Sequence, residues 1–349
     1  MRLFTYELKK ILSGAAIWIF VGLCIAFNIW TMPNVNHLEL DTTKPFEINV
    51  FEDYDTSQVA EIYISAIGMS GAPAERMRAK YADLQIVVEQ KAISGVSYSP
   101  YFGEDTFWMH FRLFNSAGLI GRLLFQGILL AVLMSLLAIG YEQINNTEHS
   151  VYTTKTGRNI LRHKVCASLI ASIGVYALIS IITFAVYFGI HDYSNVWSSS
   201  VSSGFNFIYD LTAGARPFTT WQSFTVASYL WASIGISLGL LICFVLMGVI
   251  IGIFSKNGYI GFLVLMLISA FCLLMPFLFS ESSYIRYILF HTPVGLGLNS
   301  GMWFTDGFCG NFGFMTLWRN FELWGTGISL LILIAICIFA VKRFQRVAI

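Results

Sequence analysis

Twenty-three residues, Glu142 to Lys164, set a group of charged and polar side chains between two long apolar runs. They read Glu142-Gln143-Ile144-Asn145-Asn146-Thr147-Glu148, then Val151-Tyr152-Thr153-Thr154-Lys155-Thr156-Gly157-Arg158-Asn159-Ile160-Leu161-Arg162-His163-Lys164. Carboxylates open the stretch, and Lys155, Arg158, Arg162 and Lys164 close it. Such groups pair with one another or with the charges of a partner. Ile144, Val151, Ile160 and Leu161 add apolar surface, which predicts one or two short helices bearing a docking face. This is the chemistry of contact rather than of bond-breaking.

The motifs of catalysis do not occur. There is no G-x-x-x-x-G-K-[ST] phosphate loop, no H-E-x-x-H and no G-x-S-x-G. The chain is therefore expected to be no enzyme and to hold no cofactor or metal of its own. The six histidines are scattered, and none forms a ligand pair at helical spacing. Glu52, Asp53 and Asp55 read as an acidic turn, since the rest of a calcium loop is missing. Of six cysteines, Cys24, Cys166, Cys243, Cys272 and Cys337 fall in or at the ends of apolar runs. They read as small packing residues rather than a disulfide framework.

The elements that must position residues 142–164 are membrane spans. Of 349 residues, 56% are hydrophobic and 12% charged, with mean hydropathy +0.68. A soluble domain carries about 25% charged residues. Six runs are long enough to cross hydrocarbon: 14–32, 117–141, 165–190, 224–254, 259–280 and 323–341. The predicted fold is an all-α polytopic membrane protein. Lys9 and Lys10 precede the first run, which is longer than a signal-peptide core and reads as an uncleaved span. Arg122 lies near one end of the second, where its side chain can snorkel to the headgroups. The other runs carry no Asp, Glu, Lys or Arg in their interiors. An ion-driven carrier normally places such groups along its pathway.

The segments between spans alternate in charge. Residues 1–13, 142–164, the turn Ser255–Gly258 and the tail 342–349 hold 11 of the 21 basic residues and 3 of the 20 acids, a net of +8. The remainder nets −7. This places both termini and residues 142–164 in the cytoplasm of a cell-membrane protein. Leu3, Phe4, Leu8, Ile11 and Leu12 predict an interfacial helix over 1–13. On the other side, 33–113 predicts a small, mainly helical extracellular cap. Its second helix, from Ala74 to about Ala92, sets Met77, Tyr81, Leu84 and Val88 on one face, with Arg76 and Lys80 elsewhere. Residues 98–111 are aromatic and belong at the interface. Residues 191–222 read as a polar outer loop. Residues 281–322 are apolar but interrupted by His291, Pro293 and glycines, which predicts re-entrant or interfacial helices. In 224–254, Gly235-x-x-x-Gly239 and Gly248-x-x-x-Gly252 predict close helix packing.

This plan resembles the type-2 membrane permease family of ATP-binding-cassette exporters. The family ends its second span on an acid and continues through a Gly-Thr-like step. A short coupling helix follows, and a Pro-x-x-Arg-like turn with a Lys enters span three. The matching positions are Glu142, Asn146-Thr147, Arg158 and Lys164, with Asn146 in place of Gly and no Pro before Arg158. The interfacial start with Glu7, Lys9 and Lys10, the long first outer loop and the broken hairpin before span six also match. The resemblance implies a permease subunit that docks a separate cytosolic ATPase, which binds ATP and Mg. It also implies pairing with a second permease, homo- or heterodimeric, and a hydrophobic or amphipathic cargo. Membrane lipid surrounds it, and nucleic acid is no partner. An ion-coupled or facilitative carrier, and a membrane scaffold or sensor with the cap as receptor, stay open beside this reading.

Overall fold

The computed structural model describes residues 2–32, 49–98, 113–114, 118–147, 150–151, 157–191, 193–194, 196–203, 206–210, 212–255, 257–307 and 313–346. The architecture is an all-α polytopic membrane protein. Five helical segments are long and apolar enough to span: α5 (Leu119–Ile144), α6 (Ile160–Ile190), α7 (Val226–Phe254), Gly258–Leu278 and α11 (Phe321–Arg346). Helix α8 (Gly258–Leu274) continues into a 3-10 turn to complete the fourth of these. Helices α1 (Arg2–Leu12) and α2 (Ala15–Thr31), bent by 58° at their junction, are long and apolar enough for a sixth span only when taken together. The backbone breaks there because Gly14 is extended, at φ −70° and ψ 112°.

Helices α5 and α7 form the centre, with α6 and α11 packed against them. Glycine sets how near they come. A Cβ at Gly248 would collide with the Ser135 hydroxyl, and one at Gly252 would lie 3.1 Å from Ile139 Cβ. One at Gly239 would lie 2.7 Å from Thr326 on α11. Gly235 differs from the expectation: nothing stands within 4 Å of its Cβ position, because it faces outward from the bundle. Gly248→Val is therefore expected to destabilise by about 1–3 kcal/mol through overpacking, whereas Gly235→Ala leaves the melting temperature unchanged. Thermal unfolding in detergent checks both.

Helix α8 keeps an apolar face outward, with Tyr259, Ile260, Leu263, Leu267, Phe271 and Leu274 exposed. Asn257 caps its start by accepting a hydrogen bond from the Tyr259 N–H at 2.8 Å.

The cap contains α3 (Thr56–Ile67) and α4 (Gly71–Ser94), packed as a pair. Asp55 caps α3 by accepting from the Ser57 N–H at 2.8 Å, and Gly68, at φ +67°, ends it. The aromatic stretch 98–111 lies outside the described residues except Tyr98, the last residue of a 3-10 turn. Residues 191–222 contain more order than a polar loop. A hairpin pairs β1 (Phe207–Asp210) with β2 (Gly214–Pro217), in the register Phe207 to Pro217. Residues 281–322 fold as α9 (Tyr284–Leu289) and α10 (Pro293–Leu298), and α10 packs among α5, α7, α8 and α11.

Among the helix boundaries that differ from the hydropathy reading, three carry charge. Helix α5 runs past 141 to Ile144, α6 begins at Ile160 rather than 165, and α11 begins at Phe321. Each extension carries a buried charged residue, Glu142, Lys164 or Glu322.

Candidate functional site

At one end of the bundle α1, α5 and α6 meet around four charges. Helix α6 has 31 residues, about 46 Å at 1.5 Å per residue, so it exceeds the hydrocarbon and its first turns stand at this end. Lys164 Nζ pairs with Glu142 Oε2 and donates to the Ala138 carbonyl at 2.7 Å. Lys10 Nζ donates to Glu142 Oε1 at 2.9 Å and to Glu7 Oε1 at 2.7 Å. Glu142 and Lys164 are each 1% exposed and Glu7 2%. Two carboxylates and two ammonium groups balance, which is the condition under which such groups tolerate burial. Glu142 thus bridges three helices.

The chain leaves α5 through a Schellman turn. The Asn146 N–H bonds the Gln143 carbonyl at 3.2 Å, and the Thr147 N–H bonds the Glu142 carbonyl at 2.8 Å. Asn146 sits at φ +55°. This is the left-handed region, which Asn tolerates better than any residue but Gly. Asn146 is therefore compatible with the turn. The Arg158 backbone lies in the 3-10 turn Gly157–Asn159, just before α6; its side chain lies outside the described residues, as do residues 148–149 and 152–156. Asn159 accepts a hydrogen bond from Gln345 Nε2 at 3.2 Å, which brings the last turn of α11 to the same end as α1. Of the predicted residues, Glu142, Asn146, Thr147 and Lys164 are gathered here.

Deeper in the bundle Asn28 and Gln126 exchange amide hydrogen bonds of 2.9 Å each, and Asn28 also donates to Thr183 at 3.2 Å. This joins α2, α5 and α6. Arg122 donates to Thr31 Oγ1 at 2.5 Å, at the last residue of α2. Beside these groups lies a cavity of about 640 Å³, lined by Phe20, Phe27, Phe125, Phe262, Val294 and Leu298 among others. Its walls are apolar, and Arg122 and Gln126 are its main polar features.

The opposite end is locked to the cap by a second buried network. Arg216 on β2 grips Asp306 with two hydrogen bonds, of 2.6 and 3.2 Å. Tyr81 donates to the same carboxylate at 2.5 Å. Lys80, expected on the polar face of its helix, is buried instead and donates to the carbonyls of Asp306 and Thr316 at 2.9 and 2.8 Å. Burial pulls the Lys80 ammonium down to about 8, against the opposing charge of Asp306. Burial alone would raise the Asp306 carboxyl; the Arg216 charge, then Lys80, outweigh it and hold the carboxyl below its usual range.

Beside this network His291 Nε2 meets Thr316 Oγ1 at 2.9 Å. Burial lowers His291 to about 4, from an ordinary 6.5. The unfolded chain therefore binds a proton between pH 6.5 and 4 that the folded chain refuses, and stability falls as pH drops through that window. The expected loss reaches up to about 3 kcal/mol, and His291→Gln flattens it. Melting temperatures measured from pH 7.5 to 4 test this.

Glu322, one residue before the expected start of the last span, lies in the first turn of α11 and is fully buried. Neither of its carboxyl oxygens has a side-chain hydrogen-bond donor, and Thr326 Oγ1, one turn on, is likewise unpartnered. Sequence reasoning missed Arg216, Asp306 and Glu322. A signal existed: Arg216 is the only Lys or Arg between Lys164 and Lys256, and Asp306 the only acid between Glu281 and Glu322. A lone charge among aromatics needs a partner.

Among the described residues no group of three His, Cys, Asp or Glu side chains is placed to hold a metal. What the arrangement supplies is mechanical linkage at each end of an apolar bundle. Comparison with protein-family models, with curated proteins and with solved structures finds no match for this chain.

Proposed function

We propose that this chain is the membrane permease subunit of an ATP-binding-cassette exporter. It moves a hydrophobic or amphipathic substrate, a peptide, antibiotic or lipid, across the cell membrane. ATP and Mg are bound by a separate cytosolic ATPase that docks on residues 142–164. A second permease, alike or different, completes the assembly, and both termini face the cytoplasm.

The observation that carries this reading is the Lys10–Glu142–Lys164 cluster. It ties an N-terminal helix to two spans at the root of the proposed docking segment. A push on that segment then moves three helices together. The apolar cavity of about 640 Å³ suits the cargo class.

The test is co-expression with a candidate ATPase, followed by purification and vesicle flux. An ATPase that co-purifies, and ATP-driven flux that Arg158→Ala abolishes without lowering the melting temperature, support the proposal. It fails if no ATPase co-purifies and both Glu142→Ala and Arg158→Ala leave flux intact.

One observation favours an ion-coupled carrier instead, namely the buried Glu322 with its unpartnered oxygens. Flux driven by an imposed ion gradient, and lost in Glu322→Gln, selects that reading.

A further inference from the structure

At the cap end a second cavity, of about 540 Å³, lies between α4, α9 and the start of α11. Its composition is divided. Arg76 of the cap and Arg319 just before α11 line it, both exposed. Neither guanidinium has an ion-pair partner among the described residues; Arg319 lies over the Trp221 ring, 5.2 Å from its centroid. No acid among the described residues lines the cavity. Besides His291 and Ser329, the rest of its described wall is apolar or aromatic, and includes Ile288, Trp324 and Ile328.

The apolar part continues outward. Trp324 and Ile328 are four residues apart and share one face of α11. They are 68% and 55% exposed, and Leu331 and Ile332, exposed by 71% and 53%, continue the stripe along the span. A helix face of this kind in a spanning segment meets acyl chains. Two cations therefore stand at the head of an acyl-lined groove, with a tryptophan near the junction, where an indole is most stable.

We propose that this groove holds an anionic phospholipid of the leaflet on the cap side, with its phosphate between Arg76 and Arg319 and a chain along Trp324 and Ile328. A guanidinium binds phosphate through paired N–H donors, and no carboxylate among the described lining residues is placed to pair with the ammonium of a zwitterionic headgroup. The inference stands apart from the transport reading, because it concerns binding alone.

Native mass spectrometry of the full chain, released from micelles doped with equal phosphatidylglycerol and phosphatidylcholine, tests it. Wild type is expected to retain phosphatidylglycerol preferentially. Arg76→Gln with Arg319→Gln removes that preference by about tenfold, with the melting temperature in detergent unchanged because both side chains are exposed. Trp324→Ala lowers retention of both lipids. Equal retention of the two lipids by wild type overturns the proposal, as does an unchanged preference in the double variant. Displacement of the lipid by excess inorganic phosphate overturns it too, since that marks a free-phosphate site. A melting temperature that rises with phosphatidylglycerol and not with phosphatidylcholine supports it, as does loss of that rise in the double variant.

Discussion

Glu142→Ala is expected to destabilise the protein by about 3–5 kcal/mol, the usual effect of removing one partner from a buried ion pair. The carboxylate is the shared acceptor of Lys10 and Lys164. Without it Lys164, 1% exposed, keeps only backbone carbonyls, the nearest that of Ala138 at 2.7 Å. Lys10 keeps Glu7 at 2.7 Å and falls back on the rings of Tyr6 and Tyr141. Two ammonium groups then face one carboxylate in a site closed to water. Because the penalty belongs to the orphaned charge, Glu142→Leu combined with Lys164→Met is expected to recover most of the loss. Melting curves of the single and double variants in one detergent decide it. A single variant that melts like wild type, or a double variant no better than the single, removes the cluster from any structural or mechanical role.

Asp306→Ala carries the second large effect, again about 3–5 kcal/mol, at the other end of the molecule. Three donors converge on that carboxylate or its residue: Arg216, Tyr81 and Lys80. Its loss removes the carboxylate that faces both buried cations, Arg216 and Lys80. The damage is expected to be regional. Amides of α4 and of residues 206–217 exchange faster with solvent, while the centre of α5 and α7 keeps its protection. Acid gives the same result by another route. The Asp306 carboxyl titrates below its ordinary value of 3.8, so its contribution is full above pH 3.8 and is lost as pH falls through the lowered value. Hydrogen exchange that rises uniformly across the chain in Asp306→Ala argues against a local lock.

These two networks show what was legible in the residues and what was not. The spans were legible because about twenty apolar residues in a row have one low-energy state in a bilayer, and five of the six appear as long helices close to the expected positions. The first is shorter and completed by α1 across a 58° bend. Their ends were less legible, because hydropathy penalises a charge wherever it stands. Glu142 and Lys164 were placed in a loop, yet pairing lets both lie on helices. Lys80 was assigned to a solvent face for the same reason; its acceptors are carbonyls more than 200 residues away, at a separation no local pattern reports. The hairpin at 207–217 was missed because its strands have four residues each, too short for a period to emerge. The left-handed backbone of Asn146, at φ +55°, was likewise not read from the residues.

The bond between Lys80 and residue 306 also sets an order of events during synthesis. Its partners are 226 residues apart. At about 5–20 residues per second a ribosome takes roughly 11–45 s to travel that distance. Through that interval α3 and α4 have already been made, while the segment that closes over them has not. Four more spans must enter the membrane before Asp306 exists at all. The cap is therefore translated well before the segment that completes it, and until then Lys80 depends on water for the hydrogen bonds that the mature protein supplies.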